Sequence, residues 1–505
     1  MYQPTANIHR FNVWPVIALS VGGTVLLFAF ANQYGIFRDE LYYYACSQNL
    51  AFGYVDQPPL CCWLMWLVTH TLGKSLFAIR FLPAIAFGAS IWLTAKIAQQ
   101  LEGGGFAMVS AALLTLCMPL ALGLSHLYTM NAFDFPLWSM IVLLLLKLEN
   151  TGEARLWLLI GVVVGITILN KYAILFFVAA LLLAMALTSW RRWFATREFW
   201  FGALIAAVIA LPNLIWQWSH HFPFLELMEN IKRSGRDISP PPVQFAIQQF
   251  QIANPMGFVL AIIGAIWLLG RRRYRALSIV FFAFYVLLEY LGAKNYYLGP
   301  IYPFVFAAGA VVLERAPRWL AVMALVIVVT VAAIMLPVLI PVLSPQNFIA
   351  YEKALHYEPP KFERGRFSAL PQIYADMFGW EDIARQTAAF YHTLTPEQQR
   401  NTVIWGDNYG AASAIYYYRD KYKLPVPIGP HQSYWIWGPH GYHSPDMINI
   451  GSHDDLSLKS ICDSVQVIGQ ADNPLSRGDE HYDIYYCRGL HIDLQQVWPK
   501  EKRFT

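Results

Sequence analysis

The feature that most constrains this chain is a series of long apolar segments that runs through most of its length. An α-helix needs about 20 apolar residues to span a bilayer. Of the 505 residues, 57% are hydrophobic and 13% are charged, and a soluble domain carries about twice that charged fraction. The pattern predicts an α-helical polytopic membrane protein with about eleven transmembrane helices. The predicted spans are residues 13–34, 76–99, 105–124, 133–149, 156–170, 172–190, 199–218, 253–270, 276–293, 298–313 and 319–341.

The composition changes after the last of these segments. Residues 345–505 are polar and contain no further apolar span. Short apolar runs predict strands at residues 402–405, 447–450, 465–468 and 482–486, and residues 410–418 predict a helix. The chain is therefore divided into a transmembrane domain, residues 1–344, and a C-terminal α/β domain, residues 345–505.

The basic residues predict how the chain is oriented. Lys and Arg are enriched in cytoplasmic loops. With Arg10 inside, alternation of the spans brings all the strong basic clusters to that side: Arg155, Arg191, Arg192, Arg197, Arg271, Arg272, Arg273, Arg275, Arg315 and Arg318. This predicts a multi-pass protein of the plasma membrane, the bacterial inner membrane, with residues 345–505 outside the cytoplasm. A net charge of only +4, carried in short loops, argues against a nucleic-acid partner.

An acidic and aromatic stretch, residues 38–44 (RDELYYY), directly follows the first apolar segment. Carboxylates this close to hydrocarbon are costly unless they have a task or a partner. A carboxylate at the lipid surface can act as a general base or hold a divalent cation. Asp39 is the better candidate for the base, whereas Glu40, about 100° away on a helix, is predicted to orient a neighbour or to face the acceptor. The alternative is a solvated loop in which Asp39 caps a short helix.

Further polar residues fall on the same predicted face. Asp134 is either a helix N-cap before Pro136 or a second acidic site residue. Lys171 and Lys294 interrupt apolar sequence, and such a pair favours a phosphate clamp over simple snorkelling. The candidate catalytic residues are Asp39, Glu40 and Asp134, and the candidate substrate-binding residues are Arg38, Tyr43, Asp56, Lys171, Lys294, Tyr296 and Tyr297.

The cysteines give one structural expectation. Cys46, Cys61, Cys62 and Cys117 show no metal-ligand spacing. Cys462 and Cys487 both lie near predicted strands of the C-terminal domain. If that domain faces an oxidising compartment, a disulfide between them is expected, and the alternative is a pair of unbonded small core residues.

These motifs resemble those of the C-class membrane glycosyltransferases, in particular the bacterial glycosyltransferase family 39 proteins. That group is related to protein O-mannosyltransferases and lipid A aminoarabinose transferases. The first loop, with residues 38–43 and 53–59, is the most specific part of the resemblance. Later motifs extend it over nearly the whole chain, at residues 130–134, 169–172, 294–300, 407–410 and 433–439.

The resemblance implies transfer of a hexosyl or pentosyl group from a polyprenyl-phosphate donor to an extracytoplasmic acceptor (lipid, glycan or protein), with inversion at the anomeric carbon. It implies that Asp39 is the base or a metal contact and that the lysines bind the carrier phosphate. Members differ in their use of a divalent metal ion, for which Asp39 and Asp134 would be the candidate ligands. One alternative is a lipid or sugar transporter or flippase without transferase chemistry, which would usually carry its charges mid-span. The other is a non-catalytic receptor with an external domain.

Overall fold

The computed structural model describes residues 12–235, 240–356, 368–451 and 456–505, so Arg10 and Arg236 lie outside the described residues. Helices dominate up to residue 355. They are Trp14–Ala29, Arg38–Gln48, Leu60–Thr71, Leu76–Ile79, Phe81–Gln100, Gly105–Leu116, Pro119–Ser125, Met130–Thr151, Leu156–Asn170, Ile174–Ala186, Ser189–Ala195 (3₁₀), Arg197–Ser219, Pro223–Ser234, Pro242–Ile252, Pro255–Gly270, Arg275–Tyr290, Asn295–Ile301 (3₁₀), Tyr302–Glu314, Arg318–Leu339 and Pro345–Leu355.

The predicted apolar segments all coincide with helices, but fewer of them are straight, full-length spans. Among the described residues, five helices are long and apolar enough to cross a membrane, and there are up to eight if each of three bent pairs is one span. The fold is therefore that of a polytopic helical protein, as predicted, whereas the count of eleven stays a prediction.

Proline accounts for two of the bends. Gly105–Leu116 meets Pro119–Ser125 at 58°, and Pro242–Ile252 meets Pro255–Gly270 at 106°. In both pairs the second helix begins with Pro, which has no N–H to continue the ladder of the first helix and fits the first helical turn. The segment 105–124, predicted as one continuous span, is therefore broken.

Small residues bring neighbouring helices into close contact. A Cβ on Gly161 would lie 2.1 Å from the carbonyl oxygen of Gly202, so Leu156–Asn170 and Arg197–Ser219 cross backbone to backbone. A Cβ on Gly264 would lie 2.4 Å from the amide nitrogen of Gly309 in the same way. Glycine at these crossings permits the dense packing that lipid-embedded helices depend on for association.

The C-terminal part has the α/β character that was predicted. Its strands are β1 (Thr402–Gly406), β2 (Asp446–Gly451), β3 (Cys462–Ala471) and β4 (Tyr482–Leu490), in the sheet order β1-β2-β4-β3. β1 and β2 are parallel and the other pairs are antiparallel. Its helices are Gln372–Ala375, Trp380–Tyr391, Pro396–Arg400, Tyr409–Tyr422, Ser433–Trp437, Leu456–Lys459, Gly478–Glu480 (3₁₀), Leu494–Val497 and Trp498–Lys500 (3₁₀).

A disulfide joins two neighbouring strands of this sheet. Cys462 on β3 and Cys487 on β4 are bonded, with their Cα atoms 5.7 Å apart. The expected pairing is thereby confirmed. The remaining cysteines, all predicted to lack metal-ligand spacing, are buried free thiols.

Two helices join the C-terminal part to the membrane part. The first-loop helix, Arg38–Gln48, packs along the tail helix, Tyr409–Tyr422. The Tyr44 ring lies edge-on to the Tyr417 ring, with centroids 5.0 Å apart, and residues of both helices belong to one buried apolar cluster. The acidic stretch of the first loop is thus covered by the C-terminal domain.

Candidate active site

The first-loop helix begins at Arg38, with Phe37 at the N-cap position. Glu40 reaches back to this cap, and its Oε2 accepts a hydrogen bond from the Phe37 amide at 2.9 Å. Carboxylates in a first turn also interact favourably with the positive end of the helix dipole. Asp39 lies inside the helix, so the alternative in which Asp39 caps it is wrong, and Glu40 does the capping.

Glu40 is also half of a fully buried ion pair. Its Oε1 and Oε2 accept hydrogen bonds from Nε and Nη2 of Arg80, both at 2.9 Å, and its Oε1 accepts another from the Tyr128 amide at 2.8 Å. Arg80 donates its other N–H groups to the carbonyls of Ala31 and Gly35. The carboxylate is saturated by these contacts and is 0% exposed. They fit the orienting role considered for Glu40 and give no support to a catalytic one.

Asp39 is the accessible carboxylate of the pair, with 38% of its side chain exposed. Tyr409, the first residue of the tail helix, donates its hydroxyl to Asp39 Oδ1 at 2.9 Å. Nε of Arg38 lies 3.8 Å from the same oxygen, and the Arg38 guanidinium lies over the Tyr409 ring at 5.3 Å from its centroid. A cation and a hydroxyl donor therefore face one carboxylate oxygen.

A buried charged cluster lies behind Arg38. Its Nη1 is 2.8 Å from Oε1 of Glu480, and its Nη2 is 3.8 Å from Oδ2 of Asp376. Arg477 Nη1 is 3.9 Å from Oδ1 of Asp376. Burial raises the pKa of Asp376 to about 7, with Arg38 acting in the opposite direction. Arg38, predicted to assist phosphate binding, is thus engaged by carboxylates of the C-terminal domain.

Two tyrosines of the first loop, Tyr42 and Tyr43, have different surroundings. The Tyr42 hydroxyl lies 3.1 Å from Asp56 Oδ1 and 2.8 Å from Ser433 Oγ. Tyr43, the predicted substrate contact, is 4% exposed and packs edge-on against Tyr128, with ring centroids 6.0 Å apart. The hydroxyl of Tyr42 is thus bonded to the C-terminal part, whereas the ring of Tyr43 packs within the helical part.

A second polar group surrounds Asp134. The helix begins at Met130, four residues before Asp134, so Asp134 lies inside the helix and is not its N-cap. Its Oδ1 accepts a hydrogen bond from Asn170 Nδ2 at 2.8 Å, and its Oδ2 is 3.8 Å from Lys171 Nζ. Lys171 donates to Asn131 Oδ1 at 2.6 Å. Asp134 is therefore a buried partner of a lysine.

This second group borders a narrow cavity. Tyr296 and Tyr297 present their rings to Lys171, whose Nζ is 5.2 Å and 4.2 Å from the two centroids. Trp138 adds an apolar side to the cavity. Lys294 is half-buried directly before the 3₁₀ helix that carries the two tyrosines, and its charge repels that of Lys171. Of the site residues predicted from the later motifs, four line this cavity: Asp134, Lys171, Tyr296 and Tyr297.

Sequence comparisons match part of this chain, and a comparison of folds matches nearly all of it. A family model described as dolichyl-phosphate-mannose-protein mannosyltransferase matches residues 56–216. The lipid A galacturonosyltransferase RgtD of Rhizobium johnstonii is 29% identical over 282 residues, 52% of this chain and 54% of that protein. An undecaprenyl phosphate-alpha-4-amino-4-deoxy-L-arabinose arabinosyl transferase of Pseudomonas fluorescens is 28% identical over 174 residues, 34% of this chain and 30% of that protein. The chain thus aligns with about half of one of these relatives and less of the other.

The fold comparison covers nearly all of both chains. The crystal structure of ArnT from Cupriavidus metallidurans in the apo state matches with a TM-score of 0.59 at 14% identity, over 94% of this chain and 97% of that one. The chain therefore has the fold of that ArnT structure. The predicted polytopic helical fold is confirmed, and the protein is a multi-pass membrane protein.

Several residues near the site were not found from the sequence. Asp376, Arg477 and Glu480 are distant in sequence from the first loop and meet it only through folding of the C-terminal domain. Arg80 was detectable, because it is a charge inside a predicted span, where a charge is costly without a partner. Tyr409 lay in a quoted motif, but nothing in the sequence linked it to Asp39.

The residues of the candidate site fit a metal ion poorly. Among the residues that the structure describes, no group of three or more His, Cys, Asp or Glu side chains is arranged to hold a metal. Oδ2 of Asp134 faces an ammonium group and its Oδ1 an amide donor, whereas Asp39 contacts Tyr409 and Arg38 instead. The two candidate ligands therefore belong to separate polar groups, and no step of the mechanism below involves a metal.

The Glu40–Arg80 pair predicts a large loss of stability on truncation. Glu40→Ala leaves the Arg80 guanidinium buried without its anion, and breaking such a pair typically costs about 3–5 kcal/mol. We expect a marked fall in thermal unfolding temperature in detergent. The matched control is the double variant Glu40→Ala with Arg80→Met, which removes both charges and should recover part of the loss. A single variant as stable as the wild type would contradict this.

Asp376 predicts a pH-dependent stability. Its carboxyl titrates near pH 7 when folded and near 4 when unfolded, so the folded state holds the extra proton between these values. The contribution of Asp376 to stability is therefore fully present below about pH 4 and is lost as the pH rises through about 7. Asp376→Asn should flatten this part of the unfolding profile, while Asp382→Asn on the surface of the same domain should not. Identical slopes in the wild type and Asp376→Asn would refute the assignment.

Proposed function

We propose that this protein is an inverting glycosyltransferase that transfers a sugar from a polyprenyl-phosphate donor to an extracytoplasmic acceptor. The observation that carries the proposal is the accessible Asp39 carboxylate, which contacts Tyr409 and Arg38. The next residue on the same helix, Glu40, is fixed by a buried ion pair. A base held in this way has the fixed geometry that proton transfer needs.

The comparisons support the donor class. Both sequence relatives are named as sugar transferases, and one name includes undecaprenyl phosphate. ArnT bound to undecaprenyl phosphate matches this fold with a TM-score of 0.58 over 94% of this chain. One relative is named for galacturonosyl transfer and the other for aminoarabinosyl transfer. The proposal therefore covers hexosyl and pentosyl donors, with a lipid, glycan or protein as acceptor.

Asp39 is the proposed base. An acceptor hydroxyl attacks the anomeric carbon from the face opposite the phosphate, and Asp39 takes the hydroxyl proton. The new glycosidic bond forms as the bond between the anomeric carbon and the phosphate oxygen breaks, which inverts the configuration and releases polyprenyl phosphate. General-base help of this kind typically contributes about 10²–10⁴-fold in rate.

Lys171 and Lys294 are the proposed phosphate-binding cations. The leaving phosphate carries negative charge, which two nearby ammonium groups stabilise. Asp134 and Asn131 hold Lys171 in place, and the rings of Tyr296 and Tyr297 cover it. Asp134 thus acts by positioning Lys171.

A short segment links the two polar groups. The Tyr128 amide donates to Glu40, and the Tyr128 ring packs against both Tyr43 and Phe133. Phe133 adjoins Asp134 on the same helix. Glu40, beside the proposed base, and Asp134, beside the proposed phosphate-binding lysine, are therefore linked through Tyr128 and Phe133.

A transporter or flippase remains the competing function, and the three bent helix pairs favour it, since transporters use broken helices at their substrate sites. Purified protein in detergent separates the two. The donor probes are undecaprenyl phosphate carrying 4-amino-4-deoxy-L-arabinose and polyprenyl phosphate carrying galacturonic acid, with lipid A as acceptor. Sugar transfer from either donor supports the enzyme, whereas transbilayer movement of intact donor without transfer supports the transporter.

We further propose that residues 345–505 form a domain outside the cytoplasm of the bacterial inner membrane, following the transmembrane domain at residue 344. We expect an impermeant maleimide added to intact cells to label Glu397→Cys and not Arg272→Cys, both of which are exposed positions. Labelling of Arg272→Cys alone would reverse the orientation.

The mechanism predicts that some variants lose sugar transfer and that others lose binding of the carrier lipid. Asp39→Asn should lower sugar transfer by about 100-fold or more while undecaprenyl phosphate still binds, because only the base is lost. Lys294→Ala should weaken undecaprenyl phosphate binding by about tenfold, because the phosphate is charged in ground and transition states alike. Asp382→Asn serves as the matched control.

The outcomes of these assays are decisive for each residue. Normal transfer by Asp39→Asn would remove the central claim. Unchanged undecaprenyl phosphate binding by Lys294→Ala would remove the phosphate role of that lysine. If a chelator lowers sugar transfer by the wild type as much as Asp134→Asn does, a metal acts at Asp134 and its role in positioning Lys171 is wrong.

A further inference from the structure

Tyr409 occupies an unusual place, because it comes from the C-terminal domain and contacts the accessible carboxylate of the first loop. Its hydroxyl donates to Asp39 Oδ1 at 2.9 Å. The two residues are 370 positions apart in the chain. The contact therefore exists only when the C-terminal domain is docked on the first-loop helix.

Several contacts fix Tyr409 in this position. It is the first residue of the tail helix, whose N-cap Asn408 accepts a hydrogen bond from the Ala411 amide. Asn408 in turn donates to the Tyr482 hydroxyl at 2.8 Å, and the Tyr409 amide donates to His431 Nδ1 at 3.2 Å. The backbone that carries the hydroxyl is thus held by the sheet and by the neighbouring loop.

Arg38 supports the ring from the other side. The guanidinium lies over the Tyr409 ring and is anchored by Glu480 at 2.8 Å. The next residue, Gly410, allows this close approach, since a Cβ there would lie 3.1 Å from Cγ and Cδ of Arg38. Arg38, Tyr409 and Asp39 thus contact one another where the C-terminal part meets the first-loop helix.

We propose that Tyr409 is a positioning residue for the base, so that the C-terminal domain completes the active site. A donated O–H stabilises the ionised carboxylate, the form that accepts the acceptor's proton. It also fixes the rotation of the carboxyl group, since one oxygen is held and the other is constrained relative to it. The inference rests on the proposed role of Asp39 as base and extends it.

The test compares Tyr409→Phe with Tyr418→Phe. Phe keeps the ring and removes only the hydroxyl, and Tyr418 is a half-buried tyrosine on the same helix, away from Asp39. The first readout does not need turnover. Carbodiimide modifies protonated carboxyl groups, and mass spectrometry of the full-length protein in detergent gives the extent of Asp39 modification at each pH.

In Tyr409→Phe the carboxylate loses a donor and becomes easier to protonate. We expect the pH of half-maximal Asp39 modification to rise by about one unit, and the acid limb of the sugar-transfer profile to rise with it. Transfer on the plateau should fall by about tenfold, because the carboxyl group is free to rotate. Tyr418→Phe should match the wild type in all three measurements.

An unchanged modification profile in Tyr409→Phe overturns the inference, even if Asp39→Asn is inactive. Full transfer by Asp39→Asn instead overturns the proposed function, whatever the modification profile shows. If Tyr409→Phe fails to fold, a fluorinated tyrosine incorporated at position 409 takes its place, because it keeps the ring and makes the hydroxyl a stronger donor to Asp39. A fall of the modification midpoint then supports the inference, and no change rejects it.

Discussion

The buried pair between Glu40 and Arg80 is the interaction on which the rest of the site depends. Arg80 donates to both Glu40 oxygens and to the carbonyls of Ala31 and Gly35, which follow the first helix. Glu40 in turn caps the first-loop helix and holds the Tyr128 amide. One saturated ion pair thus ties together the first helix, the first loop and the loop that leads to Asp134. Such a pair is strongly destabilising to break, because an unpaired charge would remain buried.

Two adjacent acidic residues acquire different roles from this arrangement. Successive residues on a helix point about 100° apart, so when Glu40 faces the protein interior, Asp39 faces the outer junction. Glu40 is enclosed, and Asp39 keeps 38% of its side chain exposed. Glu40, which is fixed by its ion pair, is therefore adjacent in sequence to Asp39, the proposed base. Because both lie on one helix, the ion pair also limits how far the backbone of Asp39 can move.

The C-terminal domain contributes side chains that contact the candidate site. Arg38 contacts Glu480 and Asp376, Tyr42 contacts Ser433, and Tyr409 contacts Asp39. These contacts enclose mixed charges at low dielectric, where burial dominates the pKa of Asp376. The junction is polar and specific, which favours one docked arrangement over a sliding apolar contact.

The sequence by itself determined the polytopic helical class, the strands of the C-terminal sheet and four residues that line the cavity, because apolar periodicity, strand patterning and charges near hydrocarbon act locally or carry a cost wherever they occur. It also favoured Asp39 over Glu40 as the base. It missed the break before Pro119, although Pro itself was visible, because a bend depends on what packs around it. Only the tertiary structure decided that Glu40 pairs with Arg80, that Asp134 holds Lys171 and that Tyr409 reaches Asp39. These pairings join residues far apart in the chain, and a single sequence contains no local signal for such contacts.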